Sequence, residues 1–182
     1  RAKVPSADQH QRVGFCGFDG VCPQAVDVVE KILRRQLDAT RGCAQNLGQA
    51  RLQRAEVDAV RAVWLVGDQP MHLRSVLKDT PLFHAITGVV LRGGVVTAVA
   101  GSAAAMCDPM VDPRGGAYTV GLGFVSGLAV FPYHGTAADH LRQRSIELKP
   151  PEAVLVGVDE ETALVREPGP VWSVDGAGEV TV

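Results

Sequence analysis

The sequence is short of aromatic residues, of net charge and of long apolar runs, and each shortage removes a class of function. Phe, Trp and Tyr make up 5% of 182 residues, too few for the stacking platforms that hold single-stranded nucleic acid. Lys and Arg number 18 against 20 Asp and Glu, a formal net charge of −2. No basic excess is present to neutralise phosphates, so nucleic acid is not an expected partner. No stretch reaches the roughly 18 apolar residues of a membrane-crossing helix, and the longest run, 95–106, is interrupted by Gly, Ser and Thr. A membrane is therefore not an expected partner either. Residues 1–12 are polar and do not read as a signal peptide, so a cytoplasmic location is expected. Cysteine is sparse: Cys16, Cys22, Cys43 and Cys107 lack the usual zinc and redox spacings, and no histidine pair completes a metal set. No metal and no cofactor are expected. The plain reading of the thiols is reduced and mostly buried, with a Cys16–Cys22 disulfide as the alternative.

What is present fits one globular domain over 1–182. The apolar fraction is 46% and the charged fraction 21%, close to globular averages and far from a disordered chain. Gly and Pro number 20 and 11, but without the triplet period of collagen. Strand and helix signals alternate, which implies a mostly parallel sheet covered by helices. Apolar runs predict strands at 62–66, 95–100, 128–132 and 153–159, with a short one at 12–18. The first four are expected to share one sheet, with helices on both faces. Helical spacing and start signals predict helices from Pro23 and over about 55–61, 71–78, 80–91 and 136–146, and one opening near Ala103. Residues 39–54 read as loop. Residues 107–127, with two Asp-Pro pairs and many glycines, read as a long loop that shapes a site rather than a core. The runs at 162–167, 171–175 and 179–182 are joined too closely for crossovers and predict an antiparallel C-terminal ribbon.

In an open parallel sheet, ligands bind beyond the carboxyl ends of the strands. Four such ends carry chemistry here: Gly67, Asp68 and Gln69; Gly101 and Ser102; Tyr133 and His134; Asp159, Glu160 and Glu161. A serine, a histidine and acids on neighbouring strand ends are the ingredients of a nucleophile, its base and the group that orients the base. Ser102 lies between a buried strand and a helix start, among the small residues Gly101, Ala103 and Ala104. A sharp turn there exposes its hydroxyl beside helix N–H groups near Ala103 that can stabilise an oxyanion. The alternative is that Ser102 simply caps the helix. Asp68 and Gln69 also read as ordinary turn residues, and one of the acids 159–161 as a turn cap. Arg114 in the long loop is either a carboxylate fork or solvated. His72, His84 and His140 read as solvated helix residues.

Six segments in order, LVGDQPMHLRSVLKDTPL, GGVVTAVAGSAAAM, CDPMVDPRGGAYTVGLGF, FPYH, VGVDEETAL and WSVDGAGEVTV, resemble the peptidase E and cyanophycinase family of serine peptidases. Within it they are most similar to bacterial proteins described as type 1 glutamine amidotransferase-like. The resemblance covers about residues 57–182. It implies a three-layer α/β fold of the class I glutamine amidotransferase kind, a serine nucleophile at an elbow and a histidine base near FPYH. It also implies aspartyl-type peptides or cyanophycin as substrates. The family elbow reads Gly-(Thr or Ser)-Ser-Ala-Gly-Ala; here the matching stretch is Ala100-Gly101-Ser102-Ala103-Ala104-Ala105. Counting forward from Gly93-Gly94 puts Gly101 at the nucleophile position. Counting back from CDPMVDPRGG puts Ala100 there. The Gly-Gly that supplies an oxyanion donor in the family is Gly67-Asp68 here.

Two functions stand on this sequence. One is a serine hydrolase of a small peptide or amide substrate, with Ser102 as nucleophile, His134 as base and Asp159 or Glu160 as orienting acid. Gly67, Asp68, Gln69, Ala103 and Arg114 would then bind substrate or oxyanion. The other is a catalytically degenerate relative that binds a ligand or partner. A Cys107 nucleophile is a third arrangement. The family's glycine-rich first strand is not recognisable in residues 1–20, so a missing N-terminal strand or a homodimer is expected, and the opening at Arg1 fits a processed or longer protein.

Overall fold

The structure, a computed structural model, describes residues 12–16, 55–169 and 171–182, the first of these as backbone only. In chain order these carry β1 (Arg12–Cys16), a helical turn at 55–58, β2 (Ala62–Val66), α1 (Pro70–Leu77) and α2 (Pro81–Leu91). Next come β3 (Val95–Val99), α3 (Gly101–Met106), β4 (Cys107–Asp108), β5 (Met110–Val111), β6 (Tyr118–Thr119), β7 (Val125–Ser126) and β8 (Leu128–Val130). The last are α4 (Asp139–Glu147), β9 (Val154–Val158), β10 (Thr162–Arg166), β11 (Trp172–Gly176) and β12 (Val180–Thr181). The helix expected from Pro23 and the loop at 39–54 lie outside the described residues.

The local reasons for these elements are visible in the sequence. In β2 the side chains of Val63 and Leu65 are buried and those of Ala62 and Val66 exposed, the period of two of a strand. In α2, Leu82, Ala85, Ile86, Val89 and Val90 are all buried, a stripe at helical spacing. Thr80 caps that helix by accepting the Phe83 N–H at 3.1 Å, and Pro81 follows at a position that needs no N–H donor. Gly93, at φ 78°, ends it. Every residue of α3 is buried. Its run of Gly, Ser and Ala lets it pack closely, and it sits against α1, β3 and β5.

The main sheet has five strands in the order β11-β10-β1-β3-β2. β1, β3 and β2 run parallel, whereas β10 is antiparallel to β1 and to β11. A second sheet has the order β12-β9-β8, with β8 and β9 parallel and β12 antiparallel to β9. The alternation therefore yields an α/β fold, but not one sheet holding all four predicted runs. Both edges of β3 are taken, by β1 and β2, so β8 and β9 pair with each other instead. The ribbon is also shorter than expected. β10 and β11 form the hairpin, while β12 crosses to β9 because the Asp159 N–H donates to the Glu179 carbonyl and the Glu179 N–H to Asp159 Oδ2.

Residues 107–127 are more ordered than a loop. β4 pairs with β7 and β5 with β6, and Cys107, Met110, Leu122 and Val125 belong to the main apolar core. Two cations of the first helical region fasten this segment. Arg74 Nε donates to the Val120 carbonyl at 3.1 Å and Lys78 Nζ to the Gly121 carbonyl at 2.9 Å. α4 begins at Asp139, three residues later than expected, because residues 133–137 form turns.

Candidate functional site

β3 delivers its chain into α3 through Ala100, which takes φ 52° and ψ −129°. That combination is open essentially to glycine, and a non-glycine residue held there stores about 1–3 kcal/mol. It is the strand–turn–helix geometry that pushes a nucleophile out of a sheet in elbow-type hydrolases. Here the side chain on the turn is a methyl group. The turn is held from outside. The Ser102 N–H donates to the Gly67 carbonyl at 2.9 Å. A Cβ on Gly101 would lie 2.9 Å from the Asp68 carbonyl carbon and 2.9 Å from Pro70 Cδ, so only glycine admits this approach of the β2–α1 turn.

Ser102 does not occupy the turn. It is the second residue of α3, 1% exposed, and its hydroxyl donates to the Gly67 carbonyl at 3.2 Å. The expectation of an exposed Ser102 hydroxyl is thus corrected. The hydroxyl proton faces a backbone carbonyl, an acceptor that cannot act as its base. Ala103 is buried inside the helix and its N–H donates to the Ala100 carbonyl at 3.1 Å, so it is not presented as an oxyanion donor. The gap-free count back from CDPMVDPRGG also lands on Ala100, the residue at this turn.

Gly67, Asp68 and Gln69 form the turn that faces this elbow, and they meet their neighbours through carbonyl oxygens. Gly67 accepts twice from Ser102, and Asp68 accepts the Tyr133 hydroxyl at 2.8 Å. Gln69 is the exposed N-cap of α1, makes no side-chain cap, and accepts the Leu73 N–H at 2.9 Å through its backbone. Tyr133 is itself at φ 59°, a second strained residue at the same place. Burial, and then the Asp68 charge, raise its phenol above the usual tyrosine range.

His134 follows, with its side chain 11% exposed. Its ring lies over β9 at Gly157, where any Cβ would run into the imidazole. Nε2 faces Asp159 Oδ1 at 3.7 Å, and the other carboxylate oxygen of Asp159 is held by the Glu179 N–H at 3.0 Å. Of the two candidate acids, the structure brings Asp159 to the histidine. Glu160 is exposed in the next turn, where its carbonyl accepts the Thr162 hydroxyl. The histidine and the carboxylate thus face each other just beyond hydrogen-bond distance, and Tyr133, the residue before His134, bonds to the Asp68 turn.

Arg114 does not join them. Its guanidinium pairs with Asp112 in its own loop, Nε to Oδ1 at 2.9 Å and Nη2 to Oδ2 at 2.6 Å. Those bonds hold the Asp112 carboxyl below the usual carboxylate range. The Nε–Nη2 edge of the guanidinium is thereby engaged within its own loop. Cys107 is fully buried, and burial pushes its thiol up to about 12. A thiol kept protonated is not a nucleophile. His72, His84 and His140 are exposed on their helices. Among the described residues, no three His, Cys, Asp or Glu side chains converge as a metal set. Among them also, no helix is long and apolar enough to cross a membrane. A cavity of about 270 Å³ opens beside Tyr133, between the Arg114 loop, the end of β8 and the start of α4.

No family model matches the chain. A cyanophycinase from Trichormus variabilis is 31% identical over 140 residues, covering 71% of this chain and 47% of that protein. The chain thus spans about half the length of the curated relative it matches. The crystal structure of a peptidase from an acI-B1 Actinobacterium superposes with a TM-score of 0.69 at 16% identity, covering 96% of this chain and 91% of that one. That of a peptidase E protein from Listeria monocytogenes EGD-e gives 0.58 at 12% identity, with 95% and 89% covered. The two structures share the fold, the cyanophycinase shares the sequence, and on these grounds the chain belongs to the peptidase E and cyanophycinase-like family.

Proposed function

We propose that this chain is a non-cleaving member of its family, which binds a peptide or amide ligand around Ala100, Asp68, Tyr133 and His134 without hydrolysing it. The observation that carries this reading is the pair of backbone angles at Ala100. The residue in the strained, outward-turned position has no hydroxyl or thiol. Acyl transfer through a covalent intermediate needs a nucleophile within reach of its base. Ser102, two residues on, is buried with its hydroxyl bonded to the Gly67 carbonyl. The rest of the apparatus supports a site kept for binding. His134 and Asp159 still face each other, and Tyr133 still closes onto the Asp68 turn.

The decisive test is Ala100→Ser. With a hydroxyl on the elbow, hydrolysis of aspartyl dipeptides is expected to rise by about 100-fold or more over the wild type. That is a small part of the roughly 10⁶ a nucleophile contributes in a complete triad. A fluorophosphonate should label position 100 of the variant and nothing in the wild type. Wild-type hydrolysis abolished by Ser102→Ala, with that variant still folded, would overturn the proposal.

A further inference from the structure

We propose that the cavity beside Tyr133 is a subsite for one uncharged, apolar side chain of the bound peptide, not for an acidic one. The inference rests on the peptide-binding reading above. Its size comes first. About 270 Å³ falls just below the range of roughly 300–1,000 Å³ that encloses a whole small-molecule ligand, and suits a single side chain.

Its chemistry comes second. Pro113, Phe131, Pro132, Ala137 and Leu141 supply apolar lining. Most of the polar groups around them are occupied. The Tyr133 hydroxyl donates to the Asp68 carbonyl and the Thr136 hydroxyl to the Tyr133 carbonyl. The N–H groups of Gly116, Phe131, Thr136, Ala137 and Leu141 all donate to backbone carbonyls. Arg114, the cation of the adjoining loop, is held bidentately by Asp112. A carboxylate entering the cavity would give up part of its hydration and meet no cation among the lining residues, a cost for an ion. An aliphatic or aromatic group loses only unfavourable hydration.

The walls are also built before any ligand arrives. The Tyr118 hydroxyl donates to the Ser145 carbonyl at 2.8 Å, and the Ser145 hydroxyl to the Gly116 carbonyl at 2.9 Å. These bonds fasten the 112–119 hairpin to α4, so the opening does not have to be made by the ligand.

The test is an amide-resolved NMR titration of the wild-type protein with N-acetyl-leucinamide, N-acetyl-phenylalaninamide and N-acetyl-aspartamide. The leucine and phenylalanine probes should shift the resonances of Gly116, Thr136, Ala137 and Leu141 and bind at least tenfold more tightly than the aspartate probe. Ala137→Phe should abolish those shifts by filling the space. Ala137→Arg, which supplies a donor at the same wall, should reverse the order of the probes. The second variant carries the test if the first fails to fold. Equal or tighter binding of the aspartate probe overturns the subsite, as do shifts elsewhere on the protein or no shifts at probe saturation. Cleavage of peptides by the wild type would overturn the non-cleaving reading and leave the subsite standing. Aspartate preference without cleavage would do the reverse.

Discussion

At the scale of single residues, burial and hydrogen bonding decide which reactive groups are available. Cys107 looks like a spare nucleophile in the sequence. Enclosed in the core, with its thiol pushed up to about 12 and donating to the Ala103 carbonyl, it should not react with a disulfide reagent at pH 8 in the folded protein. Titration with such a reagent before and after denaturation checks this; one native-state equivalent from position 107 would contradict it. Tyr118 is structural in a similar sense. Its hydroxyl joins the 112–119 hairpin to α4 through the Ser145 carbonyl. Tyr118→Phe should lower the unfolding free energy by about 1 kcal/mol, the net worth of one such bond, measured by urea denaturation. Arg114 and Asp112 were legible as loop residues, but not their mutual pairing, since two residues of separation leaves either side chain free to face outward.

At the scale of elements, the sequence placed most boundaries within a few residues. The apolar runs, the Thr80-Pro81 start and the Gly93 stop are local signals, and local signals survive folding. The 107–127 segment reads as loop in the sequence because its apolar residues are dispersed among glycines. Met110, Leu122 and Val125 become core only when short paired strands align them. Thr80→Ala removes the cap of α2 and should cost about 1 kcal/mol, read as a lower urea midpoint with an unchanged slope. Gly157→Ala puts a methyl where the His134 ring lies against β9. Introduced into the Ala100→Ser protein, it should displace the imidazole and remove the gained hydrolysis. Circular dichroism would show whether the sheet is retained; retained structure with undiminished hydrolysis would contradict the placement of His134.

At the scale of the whole molecule, weak acids taken wholly or partly out of water set an alkaline limit. Tyr118 and Cys107 are each pushed up to about 12 by burial, and Tyr133 is raised as well. The folded state binds these protons more tightly than the unfolded chain, whose groups titrate near 9 for cysteine and 10 for tyrosine. Their contribution to stability is full below those values and is lost as pH rises toward about 12. Urea midpoints should therefore fall steadily above about pH 9, and Tyr118→Phe should flatten the fall between 10 and 12. A stability that rises with alkaline pH would contradict this.

The sequence by itself determined the α/β class and, to within two residues, the runs of β2, β3, β8 and β9, because hydrophobic period and turn residues act over short distances. Only the tertiary structure decided how those strands divide between two sheets. β1 comes from far away in the chain to take one edge of β3 while β2 takes the other, and no local signal records that competition. The elbow was decided in the same way. Its register depended on Gly67 and Asp68, more than thirty residues earlier, reaching Ser102 and Gly101. That contact turns Ala100 outward and Ser102 inward. A shift of two residues in one turn separates a serine placed on the elbow from one buried behind it.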